Sequence, residues 1–93
     1  PIEEVYYLKA EQKYVTAHWP DGELLLDESL KSLENEFPEL FIRIHRNALV
    51  STARIRGLEK DAEGNSFLLM RDMEDRLPVS RRHLATLKKM LKE

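Results

Sequence analysis

The sequence predicts a mainly β domain with two short helices. Short runs of apolar residues, in alternation or apolar on both faces, are separated by turn-forming residues. Only two segments, Leu30 to Phe37 and the stretch after Ser80, repeat apolar residues at helical spacing. Breaks at Glu11-Gln12-Lys13, Pro20-Asp21-Gly22 and Asp61-Ala62-Glu63-Gly64-Asn65 divide the strands into hairpins.

Val5 to Ala10 reads as a strand covered on both faces, Val5 and Tyr7 opposing Tyr6 and Leu8. Tyr14 to Trp19 resumes the alternation and pairs across the Pro20-Asp21-Gly22 turn with Glu23 to Leu26, so three antiparallel strands open the domain. Leu30, Leu33 and Phe37 then mark a helix of about two turns. Asp27 or Ser29 caps it, the Asp27-Glu28 pair favours its positive end, and Pro38 closes it. Ser51 to Arg54 makes a short turn, Ile55 to Lys60 and Ser66 to Met70 form a second hairpin, and Arg76 to Val79 adds a strand. The acids from Asp72 to Asp75 read as a solvated turn. A final helix begins near Ser80, with Leu84, Leu87 and Leu91 on one face and Met90 beside them.

Ninety-three residues suit one domain with a small core, and 42% hydrophobic with 34% charged residues is an ordinary globular composition. There is no cysteine, which rules out disulfides and thiolate metal sites and fits a reducing cytoplasm. No apolar run is long enough to span a membrane, and no signal-peptide pattern opens the chain. Catalysis finds little support. Neither Ser51 nor Ser80 lies in a nucleophile elbow, the three histidines lack metal-site spacing, and there is no glycine-rich phosphate loop, so no cofactor is expected.

The net charge is −2, but it is unevenly distributed. Residues 1 to 40 hold three Lys/Arg against ten Asp/Glu, net −7, and residues 41 to 93 hold twelve against seven, net +5. The basic half contains the most informative segment, Phe41-Ile42-Arg43-Ile44-His45-Arg46-Asn47-Ala48-Leu49-Val50. Alternation places Ile42 and Ile44 on one face and Phe41, Arg43 and His45 on the other. An uninterrupted strand would send Arg46 to the apolar side after Ile44. An unpaired buried guanidinium costs several kcal/mol, so the strand is expected to break at Arg46-Asn47 and resume at Ala48. That leaves an Arg and an Asn at a tip. Arg suits guanine O6/N7 or phosphate and Asn suits adenine N6/N7, which makes a nucleic-acid edge a candidate partner. The plainer alternative is a polar turn that satisfies its own backbone.

Ser80-Arg81-Arg82-His83 is the second such feature. Ser80 suits an N-cap, but two arginines in the first helical turn oppose the helix dipole by roughly 0.3 to 1 kcal/mol each. A phosphate would account for them, because free N–H groups and guanidinium groups would converge on it. Pairing with an acid such as Asp75 is the competing explanation.

These segments, together with Lys13-Tyr14-Val15-Thr16 and the tract from Leu25 to Glu34, resemble the LytTR family of bacterial DNA-binding output domains, in particular its alginate-biosynthesis-regulator branch. The likeness runs from Val5 to about Leu91. It implies an elongated stack of small antiparallel sheets that presents loops to DNA grooves, acting in the cytoplasm as the output domain of a two-component response regulator. It implies sequence-specific contact with double-stranded DNA through Lys13, Arg46, Asn47, Ser80, Arg81, Arg82 and His83, with Arg81 at a base and Arg82 and His83 on the backbone. The Glu11 to Tyr14 turn matches the first DNA-facing loop, although the histidine some members carry there is absent. The resemblance also implies an upstream receiver domain, which fits a chain opening on Pro1, and pairing on imperfect direct repeats by a domain that is monomeric alone. Two rivals remain. One is a protein-interaction module using the acidic half or a strand edge. The other is single-strand or RNA binding with Tyr6, Tyr7, Tyr14 and Trp19 as stacking platforms, which the pattern places in strand cores.

Overall fold

A computed structural model describes residues 1–92. A 3-10 turn at Ile2–Glu4 precedes strands β1 (Tyr7–Glu11), β2 (Tyr14–Trp19) and β3 (Gly22–Leu26) and helix α1 (Leu30–Glu36). β4 (Phe41–His45) and β5 (Ala48–Ser51) follow, and a 3-10 turn at Thr52–Arg54 leads into β6 (Ile55–Lys60), β7 (Ser66–Met70), β8 (Arg76–Val79) and helix α2 (Arg81–Lys92). The opening strand begins two residues later than expected because the Ile2–Glu4 turn sets its start.

All pairing is antiparallel. The first sheet runs β3-β2-β1-β5-β4, so β5 slots between β1 and β4, and the second runs β6-β7-β8. The expected fold class, mainly β with two short helices, is the one observed. The molecule measures 35 × 27 × 26 Å, longest along one axis.

Two apolar clusters flank the five-stranded sheet. On one side α1 packs Leu30 and Leu33 against Val5, Leu8, Val15, Ala17, Phe41 and Leu49. Ser29 caps α1, its hydroxyl accepting from Ser32 N–H at 3.1 Å. On the other side, the three-stranded sheet and α2 bury Ile44, Val50, Leu68, Met70 and Leu87. Every residue of β5 is buried, as expected of a strand covered on both faces.

Several expectations need correction. Tyr14 was expected in a strand core but is 48% exposed, because it opens β2 beside the turn where nothing packs over it. Leu91 lies on the Leu84–Leu87 stripe by angle yet is 41% exposed, while Met90 beside it packs against the core. The acids at 72–75 are not merely a solvated turn. Tyr7 Oη donates to Asp75 at 2.7 Å and Tyr6 Oη lies 3.4 Å from Asp72, tying the loop after β7 to the start of β1. Burial, then Asp75, pushes the Tyr7 phenol far above its usual range, so it stays a donor. Asp75 is therefore occupied by Tyr7.

The face of His45 is also corrected. The register of β4 shifts between Arg43, opposite Leu49, and His45, opposite Ala48, leaving Ile44 as an extra residue in a β-bulge. Residues directly opposite share a face, and Ala48 belongs to the α2-side cluster. His45 thus lies on the same side as Ile44, whereas Arg43 stays on the α1 side with Leu49 and Phe41.

Leu49 is fully buried at the centre of the sheet, so Leu49→Ala should cost about 2–5 kcal/mol. Leu25→Ala, on the exposed edge, should stay within about 0.5 kcal/mol. Urea midpoints of the two variants measure this contrast.

Candidate nucleic-acid interface

Three basic tips lie along one edge, and backbone hydrogen bonds tie them together. The first is the two-residue turn Gln12-Lys13, closing the Glu11–Tyr14 pair with Gln12 in the left-handed region at φ 56°. Lys13 is exposed there, with Tyr14 beside it. The second is Arg46-Asn47, closing the His45–Ala48 pair. Asn47 C=O accepts from Ala10 N–H at 2.8 Å, which joins the second tip to the strand bearing the first. The third is the start of α2, where Ser80 N–H donates to the bulged Ile44 C=O at 2.9 Å.

Arg43 sets the second tip from behind. Its guanidinium donates to one Glu34 carboxylate oxygen from Nε at 3.2 Å and Nη2 at 2.9 Å, and from Nη1 to Arg46 C=O at 2.6 Å. This charge-assisted clamp ties the turn to α1 and leaves the Arg46 side chain exposed. Asn47 N–H donates to His45 Nδ1 at 3.4 Å, so His45 supports the turn.

At the third tip Ser80 Oγ lies 2.6 Å from His83 Nδ1, a side-chain link from N-cap to third helical residue. Burial lowers the His83 pKa, and the nearby Arg82, Arg43 and His45 lower it further against the opposing pull of Glu34. The ring is therefore neutral at pH 7, and its link to Ser80 shapes the first turn. The N–H groups of Arg81 and Arg82 have no intrahelical acceptor at this end.

Successive helical residues diverge by about 100°, and the two arginines use that divergence. Arg81 borders a concavity of about 530 Å³ with Lys60, Asn65 and His45. Arg82 borders one of about 420 Å³ with Lys31, Arg43, Arg46 and His83. Among the described residues the arginine–carboxylate ion pairs are Arg43–Glu34 and Arg76–Glu59, so Arg46, Arg81 and Arg82 are held by no carboxylate. The competing explanation for the helix-start arginines, neutralisation by Asp75, finds no support in these contacts.

Lys13, Arg46, Asn47, Ser80, Arg81, Arg82 and His83 thus share one edge. Sequence reasoning missed Lys60, Asn65 and Lys31, which line the same concavities. The signal for Asn65 was Asp61 followed by Gly64: the Asp61 carboxylate accepts from Glu63 N–H at 3.0 Å and Asn65 N–H at 2.8 Å, and Gly64 turns at φ +88°. The Asn65 backbone N–H is the main cause holding the Asp61 carboxyl below its usual range. Tyr6 and Tyr7 are buried, which removes two of the four aromatics proposed as stacking platforms.

A β scaffold that gathers basic turns and a helix N-terminus on one edge defines, in class, a nucleic-acid-binding domain. The chain belongs to the LytTR family, whose description, LytTr DNA-binding domain, matches over residues 1–92. It is 48% identical over 92 residues to the positive alginate biosynthesis regulatory protein of Pseudomonas aeruginosa, covering 98% of this chain and 37% of that protein. To the sensory transduction protein LytT of Bacillus subtilis it is 29% identical over 89 residues, covering 95% and 36%. A solved structure, the LytTr DNA-binding domain of a putative methyl-accepting/DNA response regulator from Bacillus cereus, superposes with TM-score 0.85 at 28% identity, covering 100% of this chain and 85% of that one. The chain spans little more than a third of the length of these curated relatives. It is a non-enzymatic DNA-binding domain of transcription regulators. No helix among the described residues is long and apolar enough to cross a membrane.

The neutral His83 has a pH consequence. Its folded pKa lies below the ordinary 6.5, so its stabilising contribution is complete above that value and is lost as pH falls through the depressed folded pKa. Urea midpoints should therefore fall more steeply between about pH 7 and pH 5 for the parent chain than for His83→Gln.

Proposed function

We propose that this chain is the cytoplasmic output domain of a longer bacterial response regulator and binds double-stranded DNA sequence-specifically to control transcription. The observation that carries this reading is the hydrogen-bonded linkage of three basic tips along one edge, through Ala10–Asn47 and Ile44–Ser80. Such linkage sets the spacing of the tips before DNA arrives, so little ordering entropy remains to oppose binding.

In this reading Lys13 and Arg82 grip phosphates, while Arg46, Asn47 and Arg81 reach base edges, each good bidentate pair contributing about 1–3 kcal/mol of discrimination. Ser80 and His83 meet the backbone with the helix N-terminus, the neutral imidazole acting as a hydrogen-bonding group rather than a charge. The domain is single and monomeric by itself, and two copies occupy imperfect direct repeats when an upstream receiver brings them together.

Selection of bound duplexes from a random pool, repeated with variants, tests the assignment. Arg81→Ala should lose affinity mainly for the selected site. Equal weakening on random DNA would reduce Arg81 to a phosphate contact. Arg82→Ala should weaken all sequences alike and lower the salt slope by about one unit. A stable dimer by light scattering without DNA would overturn the monomer assignment.

A further inference from the structure

The part of the molecule that the DNA-facing edge does not use is the free margin of the five-stranded sheet. β3 pairs only with β2, so alternate N–H and C=O groups of Gly22–Leu26 point away from the sheet. Edge strands are ordinarily shielded by a proline, a lysine or a covering loop. Here the edge is Gly-Glu-Leu-Leu-Leu, with Leu24 58% and Leu25 61% exposed. Alongside it runs an apolar groove of about 290 Å³, between the Ile2–Glu4 turn and β3, with Val5, Ala17, Trp19, Leu24 and Leu26 in its walls.

Charge indicates what could occupy the groove. The segments forming its walls, residues 1 to 8 and 14 to 28, contain Glu3, Glu4, Asp21, Glu23, Asp27 and Glu28 and no Lys or Arg. A second copy docking through the same edge would set these acids against themselves, which disfavours self-pairing. A segment carrying alternating apolar and basic side chains would satisfy all three features: strand hydrogen bonds to the edge, apolar burial in the groove, and cations toward the acidic rim.

We propose that β3 and the adjoining groove form a docking site for an extended basic–apolar segment of a partner protein, which adds to the sheet as a sixth strand. The register places the groove end of this site apart from the basic edge, while Leu26, opposite Val15, brings the other end of β3 toward the Gln12-Lys13 turn. Trp19 and Gly22 pair at the end of β2–β3 remote from the Gln12-Lys13 turn, and Ile2–Val5 precede β1 at that same remote end. A segment seated at the Ile2–Glu4 and Gly22 end leaves the basic turns uncovered.

The test uses a fluorescein-labelled octapeptide of alternating Val and Lys, the same peptide N-methylated at alternate residues, and a Ser–Lys counterpart. Anisotropy gives affinity, and amide spectra of the labelled domain give location. The Val–Lys peptide should bind about tenfold or more tighter than either control, because one control lacks strand donors and the other lacks apolar side chains. Shifts should concentrate on Ile2–Val5 and Gly22–Leu26. Leu24→Asp should abolish this preference while keeping the remaining amide spectrum, since Leu24 is exposed. Equal binding of the N-methylated peptide would overturn the proposal, as would shifts lying outside this edge. So would no binding, or a domain dimer in sedimentation that Leu24→Asp dissolves.

Discussion

The hydrogen bond from Ser80 N–H to the bulged Ile44 C=O is the contact on which the rest of the arrangement depends. β4 must deliver Ile44 to the core and still present Arg46 to solvent, two demands that regular alternation cannot meet together. The bulge resolves the conflict by one extra residue. It leaves Ile44 fully buried, frees its carbonyl from the ladder, and lets a two-residue turn carry Arg46 outward. The freed carbonyl then receives the N-cap residue of α2. A chain segment thirty-six residues further on is thereby set against the same turn.

Charge is organised around that junction by pairing some cations and leaving others free. Arg43 is spent internally, on Glu34 and the Arg46 carbonyl, and so shapes the turn rather than adding reach. His83 is kept neutral by burial and cationic neighbours, which avoids a further positive charge at a helix N-terminus that already opposes Arg81 and Arg82. The exposed Arg46, Arg81 and Arg82 carry the remaining field. The acids of the first forty residues sit mainly in turns and on α1, and Asp75 is committed to Tyr7, so the slightly negative net charge is compatible with a basic edge.

Much of this was legible in the chain itself. β2, β6, β7 and β8 and both helix starts follow from alternation, helical spacing and turn residues, which act locally. The break at Arg46-Asn47 was legible because an unpaired buried guanidinium is too costly. The face of His45 was not legible, because a bulge has no composition signal. Its position is decided by which residue of β5 comes to lie opposite. The exposure of Tyr14 and Leu91 was not legible because periodicity says which side of an element is apolar, not what the neighbouring elements cover.

The sequence by itself therefore determined the element order, the charge asymmetry and the residues of the basic tips, all properties of neighbours within a few positions. Only the tertiary structure decided that β5 enters between β1 and β4, that Ile44 meets Ser80, and that Lys60 and Asn65 stand beside Arg81 while Lys31 stands beside Arg82. Those pairings join residues far apart in the chain. They are selected by register, burial and hydrogen-bond satisfaction across the whole fold, which no local pattern encodes.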